Sequence, residues 1–260
     1  VPGPWKTFGE RVLTTDDIFE QETLPASMAV IGLGTIGLEL GQSLSRLGVA
    51  ISGFDQMETI GGCTDPEVSR CAQELLGKEF PIHLGSPAQI AVQGDKLLVS
   101  AGVGAQSALV DRVLCSIGRV PNVENLGLEN LGVELDARGI PVFDNTTMRV
   151  GDLPVYIAGD VTGERPLLHE AGDEGKIAGY NAARGENAAF RRKTPLYINF
   201  CDPNICAVGA RFDQLDPEST AVGQINFAPV GRALIMGRNR GVLRVYADKR
   251  SGCLLGSEMI

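Results

Sequence analysis

The chain has 260 residues, a formal net charge of −9, 43% hydrophobic and 21% charged residues, the balance of an ordinary globular protein with one large or two medium domains. The acidity argues against nucleic acid or an anionic membrane surface as a partner, and no apolar run approaches the roughly 20 residues of a membrane span. Six scattered cysteines (Cys63, Cys71, Cys115, Cys201, Cys206, Cys253) suit a reduced, cytoplasmic protein, and two histidines without C-x-x-C or H-E-x-x-H spacing leave no metal site to expect.

The start, Val1-Pro-Gly-Pro-Trp-Lys6, lacks the basic region and apolar core of a signal peptide. It also lacks an initiator Met, so the chain is expected to be a fragment. Residues 1–24 read as an approach segment with a short helix near Asp16 to Gln21, closed by Pro25. Met28-Ala-Val-Ile31 reads as a buried strand. Thr35 to Leu47 reads as a helix, with Ile36, Leu40, Leu44 and Leu47 at helical spacing, stopped by Gly48. Val49 to Phe54 is a second strand, ending at Asp55. Pro66 to Lys78 is a helix behind the N-cap candidate Asp65, and Ile82 to Leu84 is a strand.

Gln89–Gln93 and Lys96–Ser100 flank Gly94-Asp95, a hairpin signal that opens an inserted β-meander; Val113–Ile117 then returns to the parallel sheet. Further on, Leu153 to Asp160 reads as a buried strand, His169 to Arg184 as a long helix, and Arg191-Arg-Lys-Thr-Pro195 as a solvated basic linker. Ile198–Phe200, Ala221–Phe227, Val242–Tyr246 and Leu254-Leu255 read as strands of a separate α+β domain.

The stretch from Met28 to Glu39 carries the chemistry. Gly32, Gly34 and Gly37 stand in G-x-G-x-x-G spacing directly after the first strand. Gly32 permits the tight turn, Gly34 lets a pyrophosphate approach, and Gly37 lets the helix pack on the strand. The helix N-terminus supplies partial positive charge and N–H donors. Among 33 glycines such spacing also arises by chance, so context decides. Gly102-Val-Gly104-Ala-Gln-Ser107 lacks the third glycine and a following helix, and reads as a hairpin or loop. The first copy has both, and Asp55 follows Gly37 by 18 residues, near the offset of about 20 at which a carboxylate meets the adenosine ribose. No Arg follows before Arg70 to accept a 2′-phosphate, so NAD is expected rather than NADP.

Four landmarks now fall in order: this fingerprint, Ser116-Ile-Gly-Arg-Val-Pro-Asn122, Tyr156-Ile-Ala-Gly-Asp160, and the helix start His169-Glu-Ala-Gly-Asp-Glu-Gly175. Their order resembles the FAD-dependent pyridine nucleotide–disulfide oxidoreductases, and within them the dihydrolipoamide dehydrogenase branch. The resemblance implies an α/β fold: a Rossmann-like NAD-binding domain over 25–122 with the inserted β-meander, the second part of an FAD-binding domain over 123–190, and the start of an α+β interface (dimerisation) domain over 191–260. It also implies roles. Gly32, Leu33, Gly34, Thr35, Ile36, Gly37 and Glu39 would hold NAD, with Glu39 near the nicotinamide. Asp55 would hold the adenosine ribose, and Gly118 and Arg119 would border the nicotinamide side and the link to the flavin. Gly159 and Asp160 would meet the FAD ribitol, and Leu167, Leu168 and His169 the flavin ring. A lipoamide-like dithiol or disulfide substrate and a homodimer follow from the same resemblance.

Such enzymes also carry an earlier FAD fingerprint, a C-x-x-x-x-C redox disulfide before the NAD domain, and a C-terminal His-Glu pair. None is found at the matching place here, so no catalytic residue is expected in this fragment. Relatives using glutathione, mercuric ion, oxygen or NADP remain alternatives within the family, and a non-catalytic nucleotide-binding module is the alternative outside it. Cys201-Asp-Pro-Asn-Ile-Cys206 has the redox spacing but lies in the interface region, between strands, and reads as a turn. Cys63 precedes a helix, where a thiol pKa can fall, yet reads as structural. His169 reads as a helix-start residue rather than a base, and His83 as a strand residue. Tyr180-Asn-Ala-Ala-Arg184 approximates Y-x-x-x-K, but without the Lys that such chemistry requires.

Overall fold

The computed structural model describes residues 1–102 and 106–260. They form two compact units: Val1–Gly118 together with Pro195–Ile260, and Arg119–Thr194. In chain order the first unit opens on 3-10 turns over Gly3–Arg11, then β1 (Val12–Leu13), α1 (Thr15–Phe19), β2 (Ser27–Ile31), α2 (Thr35–Arg46), β3 (Ala50–Phe54), α3 (Pro66–Leu76) and β4 (Ile82–His83). It continues through β5 (Ala88–Gln93), β6 (Lys96–Ala101), β7 (Gln106–Val110) and β8 (Arg112–Cys115). A parallel sheet runs in the order β1-β8-β2-β3-β4.

The sheet is covered on both faces, which is why β2 is a continuous apolar run. Its residues alternate between two cores. Met28 and Val30 pack with Leu33, Leu38 and Leu44 on the helix side. Ala29 and Ile31 pack with Leu97, Val99 and Val110 of the antiparallel meander β5–β6–β7. The meander is thus a lid on the second face. The expected loop at Gly102–Ser107 joins β6 to β7; its centre, 103–105, lies outside the described residues. The approach segment holds two elements that the sequence did not disclose: 3-10 turns over Gly3–Arg11, and β1, which Val12 and Leu13, 5% and 3% exposed, form beside β8. Two residues are too few for periodicity to show. The expected helix there is the shorter α1, started by a capping box between Thr14 and Asp17.

In the second unit, β9 (Phe143–Asp144) and β10 (Arg149–Val150) form a short hairpin and α4 spans Leu168–Arg184. The strand expected over Leu153–Asp160 is not formed. That segment touches β10 through a single bridge, Arg149↔Tyr156, with the Val150 N–H on Val155 O and the Ile157 N–H on Met148 O. Pro154 has no N–H to continue a ladder.

The first unit resumes with β11 (Leu196–Asn199), β12 (Ile205–Gly209), β13 (Thr220–Asn226), α5 (Gly231–Ile235), β14 (Val242–Asp248) and β15 (Leu254–Met259). An antiparallel sheet runs β11-β12-β15-β14-β13. It shares a core with α2 and α3 through Cys201, Ile205, Val242 and Ile260.

Two buried carboxylates fasten this sheet to α3. Asp65, fully buried, caps α3 at the Glu67 N–H and takes hydrogen bonds from Arg244 Nε (2.9 Å) and Tyr246 Oη (3.0 Å). Glu258, 1% exposed, accepts from the N–H groups of Thr64 (2.9 Å) and Phe212 (3.2 Å) and from the Thr64 hydroxyl. Breaking a buried pair costs about 3–5 kcal/mol, and because Arg244 is 19% exposed the lower end of that range applies. Asp65→Ala is therefore expected to lower stability by that order, read as a fall in the urea or thermal midpoint. A loss no larger than that of an exposed acid would contradict the lock.

Candidate functional site

The glycine turn is built by close backbone contact. Gly32, at φ +94°, donates its N–H to Phe54 O (2.8 Å). A Cβ on Gly37 would lie 1.8 Å from Gly32 O and 2.7 Å from Ser116 Oγ, so only glycine lets α2 start against the turn. Ser116, just beyond β8, fastens the same place, its hydroxyl reaching Ile31 O (3.0 Å) and Gly32 O (2.7 Å). Gly34 is the N-cap of α2, and a Cβ there would meet nothing within 4 Å. The space beside it is open where a phosphate would approach the first-turn N–H groups. Thr35 and Ile36 are the first two residues of α2, and Leu33 is fully buried.

Asp55, just beyond β3, turns back onto this loop. Its Oδ2 accepts the Leu33 N–H (2.6 Å) and its Oδ1 the Met57 N–H (2.9 Å). A carboxylate offers about four acceptor positions, so lone pairs remain for two ribose hydroxyls. One turn along α2, Glu39 Oε1 accepts the Phe200 N–H at 2.7 Å, where β11 ends. Phe200 is 71% exposed. Gly118 closes this stretch at φ +117°.

In the second unit Arg119 pairs with Asp160. Gly159 adopts φ +87° and ψ −161°, a conformation that suits glycine, and donates its N–H to Glu174 Oε2 (2.8 Å). Leu167 is the N-cap of α4, Leu168 is 90% exposed, and His169 lies in the first turn.

The linker reading fails at Arg192. Its guanidinium is largely buried, bonding Glu170 Oε2 (2.7 Å) and Glu174 Oε1 (3.0 Å), while Lys193 reaches Asp173 at 2.7 Å. Burial opposes the Arg192 charge, but Glu174 and Glu170 more than offset it and hold the group above its usual range. Sequence reasoning missed Glu170 and Glu174, though a signal was present: they share helical spacing with the buried Ile177 and Asn181. Arg192→Leu takes the close cation from two buried carboxylates, leaving Glu170 with Arg165 at 3.5 Å and Glu174 with the Gly159 N–H, a cost of about 3–5 kcal/mol. It is expected to loosen the 159–160 loop, read as faster amide exchange at Gly159 than at α2; equal protection in variant and parent would refute the link.

All six cysteines are free. Cys201 and Cys206 lie where β11 turns into β12, paired Ile198↔Cys206 in register. Burial pushes the Cys63 thiol up to about 12 and the Cys201 thiol up to about 11. At pH 8 without reductant, alkylation is expected at the exposed Cys253 first and at Cys63 and Cys201 last, with six thiols released on unfolding. Four thiols would restore a Cys201–Cys206 disulfide. Among the described residues no group of three or more His, Cys, Asp or Glu side chains could hold a metal ion, and no helix is long and apolar enough to cross a membrane.

A βαβ turn with an open, glycine-lined anion position and an acid at the end of the next strand defines a domain of the dinucleotide-binding class. The family model for pyridine nucleotide-disulphide oxidoreductase matches residues 1–175, and that for the dimerisation domain of the same family matches residues 196–260. The chain belongs to the pyridine nucleotide-disulphide oxidoreductase family. It is 34% identical to the dihydrolipoyl dehydrogenase of Thermus scotoductus, over 96% of this chain and 55% of that protein. It is 32% identical to the mitochondrial dihydrolipoyl dehydrogenase of Sus scrofa, over 100% and 53%. The chain thus spans about half the length of the curated relatives it matches. Among solved structures, LpdA from Mycobacterium tuberculosis superposes with a TM-score of 0.81 at 26% identity, over 96% of this chain and 55% of that one. The HOCl-induced flavoprotein disulfide reductase RclA from Escherichia coli, as a Cu(II) complex, superposes with a TM-score of 0.86 at 24% identity, over 99% and 60%, a likeness of fold.

Proposed function

We propose that this chain carries the NAD site, part of the FAD site and part of the dimer interface of a dihydrolipoamide dehydrogenase-like flavoprotein. Such an enzyme moves two electrons between a dithiol and NAD(H) through FAD. The observation that carries the reading is the turn Gly32–Gly37 with Asp55 bonded to it. The open position at Gly34 and the α2 N-terminus fit a pyrophosphate, and Asp55 fits the adenosine ribose. Glu39, beside Phe200, is the acid assigned to the nicotinamide end. Gly118 and Arg119 join the two parts along the chain, and Asp160 keeps acceptor capacity for the ribitol. Gly159 and the α4 start at Leu167, Leu168 and His169 would line the flavin. Bound NAD supplies the hydride position and FAD the two-electron store; the residues named here bind and orient them. The dimerisation-domain match supports a homodimer, the curated relatives support lipoamide as the disulfide substrate, and the scattered cysteine spacing of the sequence suits a cytoplasmic setting.

Asp55→Asn tests the ribose assignment. The amide keeps an oxygen for the Leu33 N–H but loses the charge that repels a 2′-phosphate. The preference for NADH over NADPH, from fluorescence titration, is expected to fall about tenfold, or about 1.4 kcal/mol. An unchanged ratio would remove Asp55 from the site.

A further inference from the structure

Tyr197, supplied by β11, reaches across to the first residue of α2: its Oη lies 2.6 Å from Thr35 Oγ1 and 2.9 Å from Gly61 O. The phenol is held firmly. A Cβ on Gly62 would come within 3.1 Å of Oη, and the Arg211 guanidinium sits 5.5 Å from the ring centroid. The proton count then has one solution. A carbonyl oxygen only accepts, and a phenol has one proton. That proton goes to Gly61 O, so Tyr197 Oη must accept from Thr35. The Thr35 hydroxyl has a single proton and spends it on Tyr197. What it has left to offer a ligand is lone pairs.

We propose that Tyr197 is a positioning residue for the dinucleotide: it fixes the Thr35 hydroxyl as an acceptor, matched to a ribose hydroxyl or the carboxamide amine and not to the pyrophosphate. This rests on the dinucleotide reading above. Phosphate oxygens accept and do not donate, so a Thr35 locked as acceptor gives a pyrophosphate nothing. The first-turn backbone N–H groups of α2 serve the phosphates, and the side chain at the same residue serves a donor group beyond them. The device also makes a residue of the C-terminal sheet a determinant of how the N-terminal half binds its ligand.

The test compares NADH with ADP, which carries the adenosine and the two phosphates but no second ribose and no nicotinamide. Titrations use the full protein with Tyr197→Phe, Thr35→Val and the double variant. Losing one neutral hydrogen bond corresponds to about 5-fold in affinity. Each single variant is expected to weaken NADH about 5-fold and to leave ADP binding unweakened. The double variant should lose no more than either single one, because both remove one contact. Thr35→Ser, which keeps the hydroxyl, should restore NADH affinity. Equal losses for NADH and ADP, or losses that multiply in the double variant, would overturn the acceptor assignment. If the parent binds ADP and NADH and Tyr197→Phe changes neither, the positioning role fails while the nucleotide site stands. If the parent binds neither ligand, the dinucleotide reading itself falls, and this inference with it.

Discussion

The contact between Gly37 and Gly32 O is the constraint on which the first unit is arranged. With 1.8 Å between that carbonyl and the place a Cβ would occupy, no other residue allows α2 to begin so close to β2. The close start lets Leu38 and Leu44 reach Val30 in one core, and lets the Ser116 hydroxyl tie β8 to the same carbonyl. It also leaves the first-turn N–H groups facing open space beside Gly34. One steric requirement therefore sets both packing and the anion position, and Asp55 bonds the same turn at the Leu33 N–H.

Much of the fold was legible because its signals are local. The βαβ unit announces itself through a buried run, a helical stripe and glycines at fixed places, and the meander through Gly94-Asp95 between alternating strands. Short or unsupported elements were not legible. β1 is two residues long, and α5 five. The segment 153–160 has a strand's composition, but Pro154 and a single neighbouring bridge leave it irregular. Strand-like residues do not make a strand without partners.

The polar interior was legible least, since it depends on residues far apart in sequence. Asp65 was visible as a helix cap, yet nothing nearby pointed to Arg244 or Tyr246. Glu258 and Thr64 are 194 positions apart. Arg192 looked like one of three solvated charges until α4 brought Glu170 and Glu174 beneath it. At the candidate site the same division holds: Gly32, Gly34, Gly37 and Asp55 fall together as their spacing suggested, whereas Tyr197 arrives from a strand 162 residues beyond Thr35. Local pattern shows where a ligand would approach, and distant contacts decide what the site offers it.

The first unit is discontinuous, interrupted by the 76 residues from Arg119 to Thr194. During synthesis at about 5–20 residues per second, the sheet that covers α2 and α3 begins at Leu196, 120 residues after α3 ends at Leu76, and so follows by roughly 6–24 seconds. Until then the apolar face carrying Leu38, Val68 and Ala72 waits without the partners it has in the folded state, and Asp65 has no Arg244. Non-local closure of this kind slows folding and lengthens exposure to aggregation. Recombinant yield should therefore depend on translation rate and chaperone supply more than the final stability of the unit would suggest.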